Sequence, residues 1–524
     1  MKKKFLKITT ALILALSVFL AVLPLTACKK DDNSREVKFL EENIIDDKYD
    51  NYYEIFVYSF CDSDGDGIGD LKGVAQKMDY IRDMGYTGIW LMPIMPCASY
   101  HGYDVTDYYG INPKYGTLED YQNLLKVAHE KGVKVIIDLV VNHTSSQHPW
   151  FKDELEAKKK LTGSNISSAN DFYNWSKTQK DKYSKSGNVW YEAQFDSGMP
   201  DLNLSSEKVR AELDKIIKHW IEMGTDGFRL DGCYYYGAGN TASGEFCQFI
   251  HDTAAKYNEN AYIVGECWGP SRTVMKNYYY SSGVDSFFDF DVTNEVVGSI
   301  NMVSADEFYN SMRQSEKMVS DKDGNITSIA APFLSNHDNG KGRIAGRMAR
   351  DAVKIQFAYG LLSLYTGNIY TYYGDEIGMF ATNPNSDPDL RVGMLWNDTA
   401  SLTTPPPGAS TDTDYAFGSV EAQLADNNSI INYYKMCNNA RNAFPALMRG
   451  KIERVFLEEY NPAVLVFKKT YKDQTITIVV NLSDGENRAD GVEGTLAQSI
   501  CVSGKIARDG NSLKMPGYSI AILT

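Results

Sequence analysis

Eight short apolar runs alternate with amphipathic helical patterns over most of this chain, and this alternation limits its possible folds more than any other feature. The runs are apolar almost throughout, which is typical of strands that are covered on both faces. Repeated β-then-α units predict a (β/α)8 TIM barrel, an α/β fold. The predicted strands are Tyr53–Ser59, Gly88–Ile94, Val133–Val141, Gly227–Gly232, Ala261–Cys267, Val284–Phe290, Ala331–Asp338 and Ile369–Glu376. The helical patterns include Leu71–Met84, Leu118–Lys131, Glu207–Met223 and Asp351–Leu364.

Two stretches do not fit the repeating unit. About sixty residues separate the third predicted strand from the helical pattern at Glu207, which is too many for an ordinary barrel loop, so we expect an inserted domain over residues 144–203. From Gly450 onward, short β-rich runs predict an all-β C-terminal domain over residues 449–524. The barrel then occupies residues 38–143 and 204–448.

The first 28 residues predict a targeting signal that takes no part in the fold. Four lysines within residues 2–7 precede an apolar run over residues 11–25 that is too short and wrongly flanked for a membrane-spanning helix. The run ends in Leu25-Thr26-Ala27-Cys28, which resembles a bacterial lipobox and predicts lipidation of Cys28. A plain secretory signal with an incidental cysteine is the alternative. Residues 29–37 are polar and predict a flexible tether.

The charge balance limits the possible partners. The formal net charge of −15 argues against a nucleic-acid partner, because such a partner requires a basic patch. The same charge is compatible with a neutral substrate and with a secreted, soluble catalytic body.

Polar residues cluster where four of the predicted strands end. In a (β/α)8 barrel the chemistry lies at the C-terminal ends of the strands. A capped strand end or a buried hydrogen-bond network explains any one of these clusters, but four at the same end of one barrel are difficult to assign to stability. The clusters are Asp138–His143, Arg229 with Asp231, Gly265–Trp268 and Ser335–Asn339.

Three carboxylates in these clusters suit the cleavage of a glycosidic bond, which needs one ionised and one protonated carboxyl group. Arg229 and Asp231 are two residues apart in a strand and share a face. The guanidinium lowers the pKa of Asp231 and keeps it ionised, as a nucleophile requires; a structural ion pair is the alternative. Glu266 precedes the apolar pair Cys267-Trp268, a less hydrated position that raises its pKa as a general acid requires. Asp338 is the third carboxylate.

An acidic, glycine-rich loop follows the first predicted strand. Hard oxygen ligands at alternate positions wrap a calcium ion, and without a metal these carboxylates repel one another. A solvated acidic turn is the alternative. The four carboxylates are Asp62, Asp64, Asp66 and Asp70.

Together these motifs resemble the α-amylase family of glycoside hydrolases (family 13), and most closely its bacterial lipoprotein α-amylases of the intermediate type with a Met-Pro-Asp-Leu-Asn block, here Met199–Asn203. The matching blocks follow the family's order from about Tyr52 to Trp396. The resemblance implies a barrel domain A, an inserted domain B and a β-sandwich domain C. The blocks are Gly85–Pro93, His101–Asp104, Asp138–His143, Gly227–Gly232, Gly265-Glu266, Asn336–Asp338 and Gly374–Met379.

The resemblance also implies roles for individual residues. Asp231 is the nucleophile, Glu266 is the general acid and then the base, and Asp338 holds the 2- and 3-hydroxyls of the distorted sugar, with retention of the α configuration. The other implied substrate-binding residues are His101, Tyr103, His143, Arg229, His337, Asp387 and Arg391. A surface ion pair is the alternative for Asp387 and Arg391. The implied calcium ligands are the side chains of Asp62, Asp64, Asp66 and Asp70 and the carbonyl of Ile68.

Three details favour α-1,4 over α-1,6 cleavage: the Met-first block, the small Gly232 after the nucleophile, and Tyr100 where exo-acting relatives have an aspartate. They predict an α-amylase that acts within starch and maltodextrins. Tyr234 and Tyr235 depart from the Lys-His of typical α-amylases, which puts the usual reducing-side contact in doubt. The alternatives are an oligo-1,6-glucosidase, a neopullulanase-like hydrolase or a glucanotransferase of the same family. A sugar-binding protein without catalysis is disfavoured, because all three carboxylates are present.

The resemblance also bears on location and assembly. We expect an extracytoplasmic protein at the bacterial cell surface or membrane, with a lipid anchor as its only membrane contact. We expect a monomer, because we see no N-terminal domain of the kind that cyclomaltodextrinases and neopullulanases use to dimerise.

Overall fold

The computed structural model describes residues 34–237, 239–338, 343–399, 402–410 and 415–524. The predicted signal and Cys28 lie outside the described residues. No helix in the described part of the chain is both long and apolar enough to cross a bilayer.

Eight parallel strands form the central sheet, in the order β7-β6-β5-β4-β3-β2-β1-β8. They are β1 (Tyr52–Ile55), β2 (Gly88–Leu91), β3 (Lys134–Leu139), β4 (Gly227–Leu230), β5 (Tyr262–Gly265), β6 (Ser286–Asp289), β7 (Ile329–Pro332) and β8 (Tyr370–Tyr372). β1 pairs with β8, and a parallel bridge from Phe333 to Tyr370 joins the end of β7 to β8. The sheet therefore closes into the predicted (β/α)8 barrel.

The two-residue period of a strand decides which side chains face the barrel interior. Tyr52 of β1 stacks on Tyr370 of β8, with ring centroids 4.9 Å apart, and both belong to one buried cluster with Ile136 of β3. Glu54 and Asp138 each lie two residues beyond an interior side chain, so they face the interior nearer the C-terminal end. The interior thus has an apolar layer below and a polar layer above.

Helices follow the barrel strands. Glu207–Met223 has the predicted bounds; it buries one apolar face and ends at Gly224, whose φ of 111° suits the left-handed helix cap. The predicted helix Leu71–Met84 is instead two helices, because Lys77 leaves helical backbone geometry at φ −93° and ψ 5°. The α-helices are Val57–Phe60, Leu71–Gln76, Met78–Asp83, Leu118–Glu130, Pro149–Lys159, Glu207–Met223, Asn240–Tyr257, Arg272–Ser282, Val292–Met302, Ala305–Met318, Ile344–Arg347, Ala352–Leu362, Asp387–Leu390, Val420–Leu424, Ile430–Ala443 and Pro445–Arg449, with 3₁₀ turns at Cys233–Tyr235 and Asp375–Ile377.

The long connection after β3 forms an inserted region. It contains the helix Pro149–Lys159 and a three-stranded antiparallel sheet in the order Trp175–Ser176, Val189–Glu192, Tyr183–Ser186. Phe151 of the helix stacks on Trp175 of the sheet, with centroids 5.5 Å apart. The region returns to the barrel where the Leu202 N–H donates to the Asn142 carbonyl at 2.8 Å.

The C-terminal part is all-β and contains two antiparallel sheets. The first has the order Lys451–Val455, Val464–Tyr471, Gln474–Asn481, Ser519–Leu523, Leu496–Cys501, and the second Asn487–Ala489, Ser512–Met515, Ala507–Asp509. Val466 and Val479 of the first sheet share one buried cluster with Leu513 and Met515 of the second. The two sheets therefore pack as a sandwich.

The predicted tether through residue 37 is wrong at its C-terminal end. Arg35 is only 4% exposed, and its Nη2 donates to the Ser429 carbonyl at 2.6 Å. The Arg35 backbone N–H donates to Asn428 Oδ1 at 3.2 Å. Arg35 is thus fixed to the folded body through both its side chain and its backbone, so residues 35–37 belong to that body and not to a tether.

Candidate active site

Four barrel strands bring ionisable side chains to the C-terminal end of the barrel. Because the strands are parallel, their C-terminal ends meet at one rim. The side chains are Glu54 in β1, Asp138 in β3, Arg229 in β4 with Asp231 after it, Glu266 after β5, and His337 with Asp338 after β7.

Arg229 lies at the centre of this group. Its backbone lies opposite Asp138 in the register of β3 and β4, and its side chain is fully buried. Nη1 donates to Asp138 Oδ1 at 2.5 Å and to Asp231 Oδ1 at 2.8 Å, and Nη2 lies 2.9 Å from Glu266 Oε1. The predicted contact between Arg229 and Asp231 is confirmed. Burial lowers the pKa of Arg229, but the carboxylates outweigh it and the group stays charged.

A second group surrounds Asp338. Its Oδ1 accepts from Arg391 Nη2 at 2.5 Å, and its Oδ2 lies 3.0 Å from His337 Nε2. The other nitrogen of His337, Nδ1, lies 2.6 Å from Glu54 Oε1. His337 is therefore held between two acids at the bottom of the site.

Burial raises the pKa of each carboxylate, and the balance between burial and neighbouring charges decides the final direction. Burial raises the pKa of Asp231, and the opposing effect of Arg229 does not cancel it. The predicted lowering of this pKa is therefore wrong, although the contribution of Arg229 has the predicted sign. Burial also raises the pKa of Glu266, with further increases from Asp231 and Asp338, which confirms the predicted direction.

The pKa of Asp338 moves the other way. Burial raises it, but His337 and Arg391 outweigh burial and place the pKa of Asp338 well below its ordinary range. Burial lowers the pKa of His337, but Asp338 and Glu54 together raise it to about 10. Asp338 is thus a carboxylate that stays ionised beside the His337 imidazolium. The surroundings of Glu266, in contrast, favour its protonated form.

Tyr103 connects the polar layer to the cavity. Its ring is nearly parallel to that of His337, at 5.5 Å and 15°, and its hydroxyl lies 2.6 Å from His337 Nε2. The Tyr103 N–H donates to His101 Nδ1 at 3.1 Å, and its carbonyl accepts from His143 Nε2 at 3.1 Å. Burial lowers the pKa of His143 to about 4, so this imidazole is neutral at neutral pH. The three predicted residues therefore form one connected wall.

A cavity of about 540 Å³ opens above these groups. Most of the predicted site residues line it: His101, Tyr103, His143, Asp231, Glu266, Asp338, Asp387 and Arg391. Arg229 and His337 are buried beneath it. Residues absent from the predicted site complete the lining: Tyr100, Phe195, Met199, Gly232, Tyr234, Tyr235 and Trp268.

Arg391 and Asp387 are part of this cavity. Arg391 is buried, and its Nη2 lies 3.8 Å from Asp387 Oδ2 while it also binds Asp338. A surface ion pair in a loop, the alternative from sequence, does not describe a buried guanidinium that contacts Asp338.

Sequence reasoning assigned no role to two residues that position the site. Glu54 is buried and binds His337, and Asp138 accepts from Trp90 Nε1 at 3.1 Å as well as from Arg229. A single acid inside the apolar first strand was a signal for Glu54, because a buried carboxylate needs a partner. Asp138 was visible in a matching block, but its contact with Arg229 depends on strand register.

The acidic loop brings only part of its predicted ligand set together. Asp62, Asp64 and Asp70 each place one carboxylate oxygen within 4.8 Å of the others, and Asp66 lies outside this group. The Asp62 carboxylate accepts the backbone N–H groups of Gly65 and Gly67 at 2.7 and 2.8 Å. Three convergent carboxylates are hard, anionic donors of the kind that calcium prefers, so the residues fit such an ion.

Comparison with known proteins places this architecture in a family. The family model described as the α-amylase catalytic domain matches residues 54–450. The chain belongs to the α-amylase family of glycoside hydrolases. It is 36% identical over 455 residues to α-amylase 3 of Dictyoglomus thermophilum, covering 83% of this chain and 85% of that protein. The structure of Eubacterium rectale Amy13B superposes with a TM-score of 0.85 at 36% identity, covering 92% of this chain and 96% of the other.

More distant relatives in the α-amylase family have other activities in their names. An oligo-1,6-glucosidase of Parageobacillus thermoglucosidasius is 27% identical, covering 82% of this chain and 89% of that protein. A 4-α-glucanotransferase of Thermotoga neapolitana is 28% identical, covering 84% and 97%. This chain is thus a retaining glycoside hydrolase of the α-amylase type.

Replacing Glu54 by glutamine tests the charge of His337. Because Glu54 raises the pKa of His337, E54Q lowers that pKa, and the imidazolium beside Asp338 is lost at a lower pH. We expect the alkaline limb of the kcat/KM profile to move to lower pH, so that E54Q is impaired more at pH 8 than at pH 6. Profiles of the two proteins on one maltooligosaccharide measure this shift. The exposed Glu156→Gln is the control, and parallel profiles for E54Q and the parent would refute the role of Glu54.

Proposed function

We propose that this member of the α-amylase family cleaves internal α-1,4-glucosidic bonds of starch and maltodextrins. The observation that carries the proposal is that aromatic side chains, which suit stacking on sugar rings, line the cavity both near Asp338 and near Glu266. Tyr100 and Tyr103 lie on the side of Asp338 and Arg391. Trp268 and Tyr235 lie on the side of Glu266 and Gly232, and the Phe195 ring lies between the two sides, 5.1 Å from Tyr235 and 5.4 Å from His143. A chain that is cut internally must occupy both sides.

In the first step Asp231 attacks the anomeric carbon, and Glu266 gives its proton to the departing glycosidic oxygen. A covalent β-glycosyl ester forms at Asp231 as the bond to the leaving sugar breaks. Arg229 supports this step, because it binds Asp231 at 2.8 Å and favours its ionised form. The raised pKa of Glu266 supports its role as the acid.

In the second step Glu266 takes a proton from water, and the hydroxide attacks the same carbon to release Asp231. Esterification of Asp231 removes its negative charge. Because that charge raises the pKa of Glu266, its loss lowers the pKa and suits Glu266 to act as a base. Each step inverts the configuration at the anomeric carbon, so the two steps together retain it. Two carboxyl groups bound to one guanidinium suit this double displacement.

Asp338 is proposed to bind the 2- and 3-hydroxyls of the reacting sugar. Its low pKa keeps it an acceptor throughout the working pH range. Its pairing with His337 and Arg391 fixes its orientation before the substrate binds, and preorganised charge of this kind stabilises a transition state without reorganisation. Tyr103 is proposed to stack on the same sugar.

A second candidate function is α-1,6 hydrolysis or glucanosyl transfer. The named activities of the 27–28% identical relatives favour it, and the mechanism above serves either bond. The ratio of hydrolysis to transfer depends on whether water or a sugar hydroxyl attacks the glycosyl ester at Asp231. Tyr234 and Tyr235 line the same cavity as Glu266 and offer aromatic surfaces suited to an acceptor sugar.

Digestion of amylose separates the two candidates. Internal α-1,4 cleavage shortens the chains early, so iodine colour falls well before reducing ends reach their final level. The parallel test uses panose and isomaltose. Rapid release of glucose from these two, without early shortening of amylose, would replace the α-amylase proposal by an oligo-1,6-glucosidase. Products longer than the substrate would indicate a transferase.

We also propose that Asp62, Asp64 and Asp70 bind calcium, with Asp66 and the Ile68 carbonyl as further predicted ligands. The convergence of three carboxylates supports this. The ion would brace the loop that follows β1; the loop is joined to the barrel by hydrogen bonds from Gly69 N–H to the Tyr58 carbonyl and from Asp70 N–H to the Cys61 carbonyl.

Chelation is expected to lower the free energy of unfolding. If calcium is present at about 100 times its Kd, its removal costs about 2.7 kcal/mol. Thermal unfolding with calcium and with a chelator measures the loss, and calorimetric titration measures binding directly. The double variant D62N/D64N should lose both responses, whereas Asp323→Asn in another exposed acidic loop should keep them. A parent protein that shows neither binding nor a calcium-dependent shift would exclude the site.

The location is also a proposal. We propose that Cys28 is lipidated and that the enzyme works as a monomer at the bacterial cell surface, where starch is degraded before import. The lipobox-like sequence before Cys28 supports the anchor. Labelling with a fatty-acid analogue should mark the parent and not Cys28→Ala. Full-length protein recovered from the cytoplasm would contradict the proposal.

A further inference from the structure

The C-terminal sandwich has two unusually exposed aromatic side chains. Phe456 is 77% exposed and Tyr460 is 68% exposed, more than any other large hydrophobic side chain in the described part of the chain. Both lie on the loop over residues 456–463 between two neighbouring strands of the larger sheet. Two highly exposed rings on one loop are a candidate binding patch, because grouped exposed apolar side chains mark interaction sites.

The loop is fastened to the barrel helix Ala305–Met318. Arg454 Nη2 lies 2.5 Å from Asp306 Oδ1, and the Tyr460 hydroxyl donates to Asp306 Oδ2 at 3.0 Å. The Arg454 guanidinium lies 5.1 Å from the centroid of Phe456. The hydrogen bond therefore restrains the Tyr460 ring and the cation–π contact places Phe456 beside Arg454, while most of the surface of both rings stays in solvent. Such restraint lowers the side-chain entropy that is lost on binding.

A cavity of about 560 Å³ adjoins Tyr460. Its lining includes Glu458, Glu459, Asn461, Arg488 and Asp490, which offer both donors and acceptors. A pyranose ring has an apolar face and a rim of hydroxyls, so an aromatic surface beside such groups matches its chemistry.

We infer that Phe456 and Tyr460 with this cavity, here called the loop platform, form a second binding site for α-glucan chains. The inference rests on the α-glucan substrate proposed above. A polymer held at the loop platform stays near the enzyme while other segments of it enter the catalytic cavity. The local concentration of cleavable bonds rises accordingly.

The charge of the surface favours a neutral ligand over a second copy of the chain. A two-fold contact centred on this loop would bring Glu458 and Glu459 of one copy close to the same acids of the other, whereas Asp490 is balanced by Arg488, 3.6 Å away. Like charges brought together in this way disfavour association. A neutral sugar chain meets no such repulsion.

The test measures binding to insoluble starch in a parent carrying Glu266→Gln, so that the starch is not degraded during the measurement. F456A/Y460A is added to this parent. Tyr280→Ala serves as the matched control, because Tyr280 is 58% exposed and belongs to the helix Arg272–Ser282, outside the loop platform. Loss of the two aromatic contacts predicts at least about a tenfold weaker affinity, which corresponds to about 1.4 kcal/mol or more. Thermal unfolding of each variant checks its fold.

The possible results separate this inference from the proposed function. Weaker starch binding by F456A/Y460A alone, with an unchanged unfolding midpoint, supports the loop platform. Equal binding by all three proteins overturns it but leaves the catalytic proposal standing. A parent dimer that becomes a monomer in F456A/Y460A, without a change in starch binding, identifies a self-interface and also overturns it. If the active chain fails to cleave amylose and the parent fails to bind starch, the proposed function itself is wrong.

Discussion

Replacing Asp231 by alanine is expected to lower kcat by on the order of 10⁴-fold or more, because the proposed mechanism forms its covalent intermediate at Asp231. Asp231 has the position for this role: it follows β4, binds Arg229 at 2.8 Å and lines the cavity beside Glu266. Steady-state hydrolysis of a maltooligosaccharide measures the loss. Circular dichroism and thermal unfolding check that the fold is retained.

Azide distinguishes the loss of a nucleophile from a structural defect. A small anion can enter the space that alanine leaves and attack the same face of the sugar. We expect azide to restore part of the rate of D231A and to yield a β-glycosyl azide. Asp196→Asn, at an exposed position in the inserted region, is the control and should keep the parent rate. A rate for D231A within tenfold of the parent would refute the assignment.

Replacing Arg229 by methionine is expected to destabilise the fold strongly. The change leaves Asp138, Asp231 and Glu266 buried without their shared cation. Removal of one partner from a buried charge pair costs about 3–5 kcal/mol. Chemical denaturation at pH 8 measures the change in the free energy of unfolding. Arg488→Met is the matched control, and its exposed side chain predicts a change of about 0.5 kcal/mol or less.

The loss in R229M should depend on pH. Arg229 lowers the pKa of each of these carboxyl groups, so its removal raises the three values further above those of the unfolded chain. A carboxyl group whose pKa is higher when folded stabilises the fold at low pH, and this contribution is lost as the pH rises. R229M should therefore approach the parent's stability near pH 5 and fall furthest below it at pH 8. An equal loss at both values would contradict the account.

The fold was predictable because its pattern is local. The buried run Gly227–Gly232 and its seven counterparts specified strands and their order without any tertiary information. The strand ends were not predictable: β4 ends at Leu230, because the chain turns at Gly232, whose φ is 54°. The polar residues that extended the predicted strands belong to the loops beyond them. Backbone hydrogen bonds, and not side-chain character, decide where pairing stops.

The candidate site was partly predictable for the same reason. Asp231, Glu266 and Asp338 each follow an apolar run, so topology alone places them at one rim. Glu54 could not be placed, since its contact with His337 joins residues 283 positions apart. The direction of the Asp231 pKa also failed, because sequence reveals the neighbouring cation but not the extent of burial.

The loop platform shows a further limit of sequence. Phe456 and Tyr460 look like ordinary hydrophobic residues in a β-rich segment. Their exposure follows from the anchoring of the loop to Asp306, about 150 positions away along the chain, and such contacts appear only in the folded structure.

The most direct test of the proposed function is digestion of a maltoheptaoside whose non-reducing end is blocked, with calcium present. An enzyme that needs a free non-reducing end cannot act on this substrate. We predict rapid release of internal fragments, with the new reducing ends first appearing in the α configuration by NMR. An intact blocked substrate, together with rapid hydrolysis of panose or isomaltose, would contradict the central claim and assign the cavity to α-1,6 bonds.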